Sequence, residues 1–282
     1  MDKLEIEEGR RHLSPAEIGG GNMRLPEFGG KLPGYALLPG DPNRVSLMAS
    51  QWDKDARVEV LKRCFRSAIG TYKGVPICAF STGIGAPSAE STLTSCATAG
   101  VHTFIRVGTT GSLREDIKIG DIIINDACVR LDGTSNLYVR PEFPAAASYE
   151  VTLALVQACE NLGFRYHVGT GCTTGSFYAG QCRTSYGGYK PSWIDDELQN
   201  MISAGVINYE MEAAAIFTLS RLFGLRSGMC ATVIAERLTG KWDDETIGES
   251  NSCLVGAEAV RILAHWDDIK SSTGNNSICK PV

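Results

Sequence analysis

The 282-residue chain carries little net charge, and its sign is negative: 27 Lys and Arg stand against 32 Asp and Glu, giving −5 with histidine neutral. No basic cluster breaks that balance, which excludes an electrostatic footprint for nucleic acid or for an anionic membrane surface. No apolar run reaches membrane-spanning length, and the opening MDKLEIEEGRR lacks the apolar stretch of an export signal. The ten cysteines include no C-x-x-C pair and fall mostly in apolar segments, so they read as free thiols rather than a disulfide framework. His12, His102, His167 and His265 have no metal-ligand spacing, and P-loop, H-E-x-x-H and G-x-S-x-G motifs are all missing. The expectation is a soluble cytoplasmic enzyme that acts on small molecules without a metal or a covalent nucleophile.

What is present is an alternation of apolar strands and amphipathic helices. Strands are expected at 35–38, 58–65, 68–72, 75–81, 103–107, 122–129, 166–172, 206–209 and 226–235. Helices are expected from 43, from Pro87 to about 100, and at 149–162, 194–204, 211–223 and 252–264. No repeat or composition break interrupts them. This predicts one α/β domain over residues 34–270, a three-layer α/β/α arrangement with a mixed, largely parallel central sheet. A polar, glycine-rich arm (1–33) precedes it and a polar tail (271–282) follows.

Loops at strand ends are where such folds keep their sites. After the first strand, Pro39-Gly40-Asp41-Pro42 is a strong turn signal, and Arg44 follows where helix amides already favour an anion. In FIRVGTTGSL (104–113) Arg106 is a charge inside an apolar strand, and residues 108–112 read as a turn with Thr109 on it. A structurally paired arginine in an ordinary turn fits that stretch as well. GIGAPS (83–88) superficially resembles a dinucleotide fingerprint, but Ser88 replaces the third glycine, so a Rossmann cofactor site is discounted. Gln181 and Arg183, two apart in extended backbone, would point the same way and offer an amide plus a guanidinium fork suited to a planar imide. Glu210 and Glu212 flank Met211 at a strand end, either to bind a ribose diol or as acids at a helix N-terminus.

Taken together, LLPGDPNRV (37–45), STGIGAPSAE (81–90), FIRVGTTGSL, VRLDGTS (129–135), FYAGQCR (177–183) and NYEMEAAAIF (208–217) resemble the nucleoside phosphorylase-I family, FYAGQCR marking its pyrimidine-cleaving members. The resemblance implies reversible phosphorolysis of uridine, and of deoxyuridine, to uracil and (deoxy)ribose 1-phosphate in pyrimidine salvage. Inorganic phosphate would be a co-substrate, and no cofactor or metal is implied. It implies that Gly40, Arg44, Arg106 and Thr109 bind phosphate with a neighbouring subunit's Arg63. Thr109, Glu210, Met211 and Glu212 would hold ribose, with His12 from a neighbour. Phe177, Gln181, Arg183 and Arg237 would bind the base, with Arg183, Gln181 and Arg106 carrying catalysis. Borrowed residues imply a homo-oligomer, a hexamer or at least a dimer. Two positions depart from the family pattern. Cys64 replaces a glutamate that helps bind a monovalent cation, so no such ion is predicted. Glu236 replaces an asparagine near the purine-binding acid, which keeps open a purine or methylthioadenosine-type phosphorylase or nucleosidase. A catalytically silent nucleoside-binding protein is the other alternative.

Overall fold

The computed structural model describes residues 32–243 and 248–274. The first strand, β1 (Tyr35–Pro39), shows why two cores form. Side chains alternate across a strand, so Ala36 and Leu38 face one way and Leu37 the other. Ala36 and Leu38 pack with Phe80, Leu93, Phe104 and Phe217, under helices α2 (Ala86–Thr98) and α5 (Ala213–Leu222). Leu37 packs with Ile105, Val107, Leu155 and Val260, under α1 (Pro42–Ser50), α3 (Tyr149–Leu162) and α6 (Glu249–Thr273). A further helix, α4 (Ile194–Ser203), covers a smaller cluster around Leu113, Cys172 and Tyr209. The sheet is thus buried on both faces, as the alternation of strands and helices predicted.

The remaining strands are β2 (Arg57–Val60), β3 (Arg66–Tyr72), β4 (Val75–Phe80), β5 (Thr103–Ser112), β6 (Ile122–Leu131), β7 (Ala145–Ala146), β8 (Tyr166–Thr174), β9 (Asn208–Glu210), β10 (Arg226–Glu236) and β11 (Lys241–Trp242). They form one mixed sheet in the order β11-β10-β6-β8-β9-β5-β1-β4-β3-β2, with β7 on β6. β5 also pairs along its whole length with β10, so β5, β10, β6, β8 and β9 close into a ring. Asn125, Asn208 and Thr110 link β6, β9 and β5 by buried side-chain hydrogen bonds of 2.7 and 2.9 Å. Such a relay is stable only when every member is satisfied, which fixes the register of the three strands.

Closure corrects the expected turn at 108–112. β5 runs on to Ser112 because β10 holds one edge, up to the pair Ser112–Glu236, and β9 holds the other at Gly111–Tyr209. Its glycines serve close packing: a methyl group on Gly108 would sit 3.1 Å from the Arg106 guanidinium. The expected strand at 58–65 ends at Val60, because a one-turn helix over Lys62–Cys64 follows with Arg63 and Cys64 in left-handed backbone. Helix α6 is longer than expected at both ends and passes residue 270, because its last turns are anchored. Asp267 accepts hydrogen bonds from the Tyr35 hydroxyl and the Arg226 guanidinium, and Lys270 pairs with Glu150 at 2.8 Å. The N-terminal arm up to residue 31 lies outside the described residues.

Candidate active site

One cleft of about 650 Å³ opens at the ends of β1, β5, β8, β9 and β10. Ten of the thirteen residues singled out from the sequence line it: Gly40, Arg44, Arg106, Thr109, Phe177, Gln181, Arg183, Glu210, Met211 and Glu212.

Its first end is built by the turn after β1. Asp41 caps α1 by accepting a hydrogen bond from Asn43 N at 2.8 Å, and this sets Arg44 in the first helical turn, where it is buried. Arg44 donates to the Val107 carbonyl at 3.3 Å and pairs with Glu249 at the start of α6. Arg106 reaches from β5 to the Leu38 carbonyl at 3.3 Å and pairs with Glu212. The Nε–H groups of both arginines are buried without a hydrogen bond, that of Arg106 standing 4.0 Å from a Glu210 carboxylate oxygen. Buried polar groups are ordinarily satisfied, so two unmet guanidinium donors beside one cleft specify an anion. Gly40 admits that approach, since a Cβ there would lie 3.1 Å from the Gly83 carbonyl and 3.5 Å from Arg106.

In the middle stand the two acids. Both oxygens of Glu210 are engaged, Oε1 by the Thr173 hydroxyl and Ala213 N, Oε2 by Glu212 N at 2.8 Å and Ala213 N at 2.9 Å. Glu210 therefore caps α5. Burial and the adjacent Glu212 carboxylate push the Glu210 acid upward, and Arg106 pulls it back. Glu212 accepts from Gly85 N at 2.6 Å besides its pairing with Arg106, which leaves it the more available carboxylate.

The other end is a loop between β8 and α4. Gln181 and Arg183 do point into one cleft, but not through strand alternation. Ala179–Gln181 forms one helical turn, Cys182 is left-handed at φ 56°, and Arg183 N bonds back to the Tyr178 carbonyl at 2.8 Å. The Arg183 guanidinium lies over the rings of Phe177 at 4.6 Å and Trp242 at 5.4 Å. Burial and the nearby Arg237 push its pKa down to about 10.

Three residues stand outside the lining. Arg237 sits behind it, donating to the Gln181 carbonyl at 2.7 Å and stacking over Tyr209. Arg63 is exposed beyond the end of β2. His12 lies outside the described residues. Glu236 also misses the cleft. A β-bulge between Val233 and Ala235 shifts the phase of β10, and the acid meets Lys118 at 3.4 Å and Lys241 at 4.0 Å. Burial alone would raise its pKa, but the lysines hold it below the ordinary carboxylate range. The residues sequence reasoning missed are chiefly Ile84, Tyr209, Ile234 and Trp242. Only Trp242, a large aromatic in the polar run GKWDDE, carried a signal.

The family described as the phosphorylase superfamily matches residues 35–261. The chain is 49% identical over 240 residues to the uridine phosphorylase of Thermococcus kodakarensis, covering 85% of this chain and 86% of that protein. To the uridine phosphorylase of Escherichia coli it is 38% identical over 232 residues, covering 81% and 91%. To the guanosine phosphorylase of Halorubrum lacusprofundi it is 34% identical over 205 residues, covering 73% and 79%. A match running from the first strand into the last helix, around a cleft with an anion end and a polar planar end, makes the chain a member of the phosphorylase superfamily, of the nucleoside phosphorylase-I type.

Proposed function

We propose that the chain catalyses reversible phosphorolysis of uridine, and of deoxyuridine, to uracil and (deoxy)ribose 1-phosphate. The observation that carries this is the order of chemistry along one cleft: two buried guanidinium groups, then a carboxylate, then an amide beside a guanidinium. The relatives named uridine phosphorylase support the same choice of base.

In the forward direction the C1′–N1 bond breaks with its electron pair leaving on the pyrimidine, while a phosphate oxygen bonds to C1′. The proton lost by hydrogen phosphate ends on uracil. Positive charge builds on the ribose and negative charge on the base, so a catalyst must stabilise both. Arg44, Arg106 and the amide of Gly40 grip phosphate next to C1′, and Thr109 stands between phosphate and sugar. Glu212 and the Met211 backbone take the ribose hydroxyls, positioned by Glu210 behind them. Binding ribose and phosphate together redistributes the Arg106–Glu212 pair onto the two ligands. Phe177 packs on the nucleoside, and Gln181 with Arg183 receives the departing uracil, Arg237 holding the Gln181 loop from behind. Phosphate is the co-substrate; no cofactor, metal or covalent intermediate is required.

Arg63, exposed at the sheet edge, and His12 are assigned to a neighbour's site, which makes the enzyme a homo-oligomer, a hexamer or at minimum a dimer. The nine unpaired cysteines among the described residues suit a cytoplasmic salvage enzyme, and no helix among those residues is long and apolar enough to cross a membrane. The deciding experiment is phosphate-dependent release of uracil from uridine, run beside inosine and thymidine. Faster cleavage of inosine, or untouched uridine, sinks the proposal. The lysine-paired Glu236, turned away from the cleft, is why the purine alternative is not favoured.

A further inference from the structure

We propose that Trp242 is a positioning residue for the departing base: with Phe177 it holds the Arg183 guanidinium in the corner formed by two rings and keeps its N–H edges toward the base end of the cleft. This rests on the uracil assignment made above.

Among the described residues Arg183 has no carboxylate partner, and its Nε is buried without a hydrogen bond. An arginine half withdrawn from water, as Arg183 is, is commonly held by an acid. Here the Phe177 ring at 4.6 Å and the Trp242 ring at 5.4 Å take that place, and the rings stand edge to face at 87° with centroids 6.4 Å apart. The difference is chemical. An acid would occupy the N–H edges and neutralise the charge, whereas an aromatic face attracts the cation through its π surface and leaves the edges free. A planar leaving group gathering negative charge needs those edges and that charge. Phe177 comes from the loop after β8, but Trp242 arrives from β11, paired Ala235–Trp242 with the end of β10. The clamp therefore ties the base loop to the closed ring of strands. Trp242 is half-exposed and ends a two-residue edge strand, so its replacement leaves the core intact.

The test is steady-state phosphorolysis by W242A and W242F, with uridine and 5-fluorouridine compared at mildly acidic pH, where both bases keep their N3 protons. W242A is expected to lose about tenfold in kcat/KM for uridine. It should lose several-fold less with 5-fluorouridine, whose electron-poor base needs less help to leave. The KM for phosphate should stay at the wild-type value, and W242F should recover most of the loss. Equal losses on the two nucleosides, a raised phosphate KM, or no rescue by W242F overturns the clamp. A wild-type enzyme that leaves uridine untouched would instead overturn the uracil assignment itself, so the two failures are distinguishable. Thermal unfolding of each variant separates loss of fold from loss of positioning.

Discussion

At the scale of single residues, among the described residues the cleft pairs the two arginines at its anion end with acids and sets the arginine at its base end against aromatic rings. Arg44 meets Glu249 and Arg106 meets Glu212, whereas Arg183 lies over the Phe177 and Trp242 rings. Arg183→Ala should therefore cost about 10²- to 10³-fold in kcat for uridine while phosphate affinity, measured by protection against thermal unfolding, holds; equal losses would remove Arg183 from the base. Glu249 predicts the opposite sign. Its carboxylate competes with phosphate for Arg44, so Glu249→Gln should lower the phosphate KM about fivefold in initial-rate assays. An increased KM would make Glu249 the residue that orients Arg44. The residues that meet in this cleft were legible in the sequence chiefly through the resemblance of their segments to one family, because each alone fits a surface or structural role as well. The carboxylate partners were not legible. Glu249 lies more than 200 positions from Arg44, and Glu212 more than 100 from Arg106, separations that only the fold closes.

At the scale of elements, strand and helix existence followed from periodicity, and α3 was expected at its observed bounds. Ends were less legible, for reasons specific to each. β5 outran its predicted turn because a second neighbour pairs its glycine-rich half, and β2 stopped short where Arg63 turns left-handed. The bulge in β10, which turns Glu236 from the cleft to the lysines, leaves no mark in the sequence. Helix α6 outran its pattern because the ion pairs of Asp267 and Lys270, beside Trp266 on the core, hold its last turns. In the middle of the same helix Glu258 binds Lys73 at 2.9 Å from the β3–β4 turn and Arg261 at 2.7 Å. Burial would raise its pKa, but these two cations hold it down at about 2, below the ordinary 4.5. A depressed carboxylate contributes stability above its unfolded pKa and loses it as pH falls toward the folded one. Urea midpoints of the wild type should accordingly fall between about pH 4.5 and pH 2 by more than those of Glu258→Gln. At neutral pH the variant should be less stable by about 1–3 kcal/mol.

At the scale of the whole molecule, the described cleft holds every proposed ligand group except Arg237, which stands behind it, and the two assigned to a neighbour. Arg63 is exposed and stands outside the lining of its own cleft. Mixing subunits tests that directly. Arg63→Ala protomers keep an intact cleft but lend nothing, and Arg183→Ala protomers lend Arg63 but cannot cleave. Co-refolded in equal amounts, the two inactive variants should regain about a quarter of the wild-type sites, since half of random pairs are mixed and each mixed pair has one complete site. No recovery would make each subunit self-sufficient.

The closed ring also divides the labour of the cleft. Thr109 and Arg106 ride on a strand paired along both edges, so the anion grip cannot slip by a residue without breaking two ladders and the Asn125–Asn208–Thr110 relay. Gln181 and Arg183 ride on a loop tied to that ring through Arg237, the Cys182–Tyr209 contact and the Trp242 clamp. Changes in base preference can thus accumulate in the loop without retooling the attacking group. A pyrimidine enzyme of this build is a fixed phosphate engine with an exchangeable reading head.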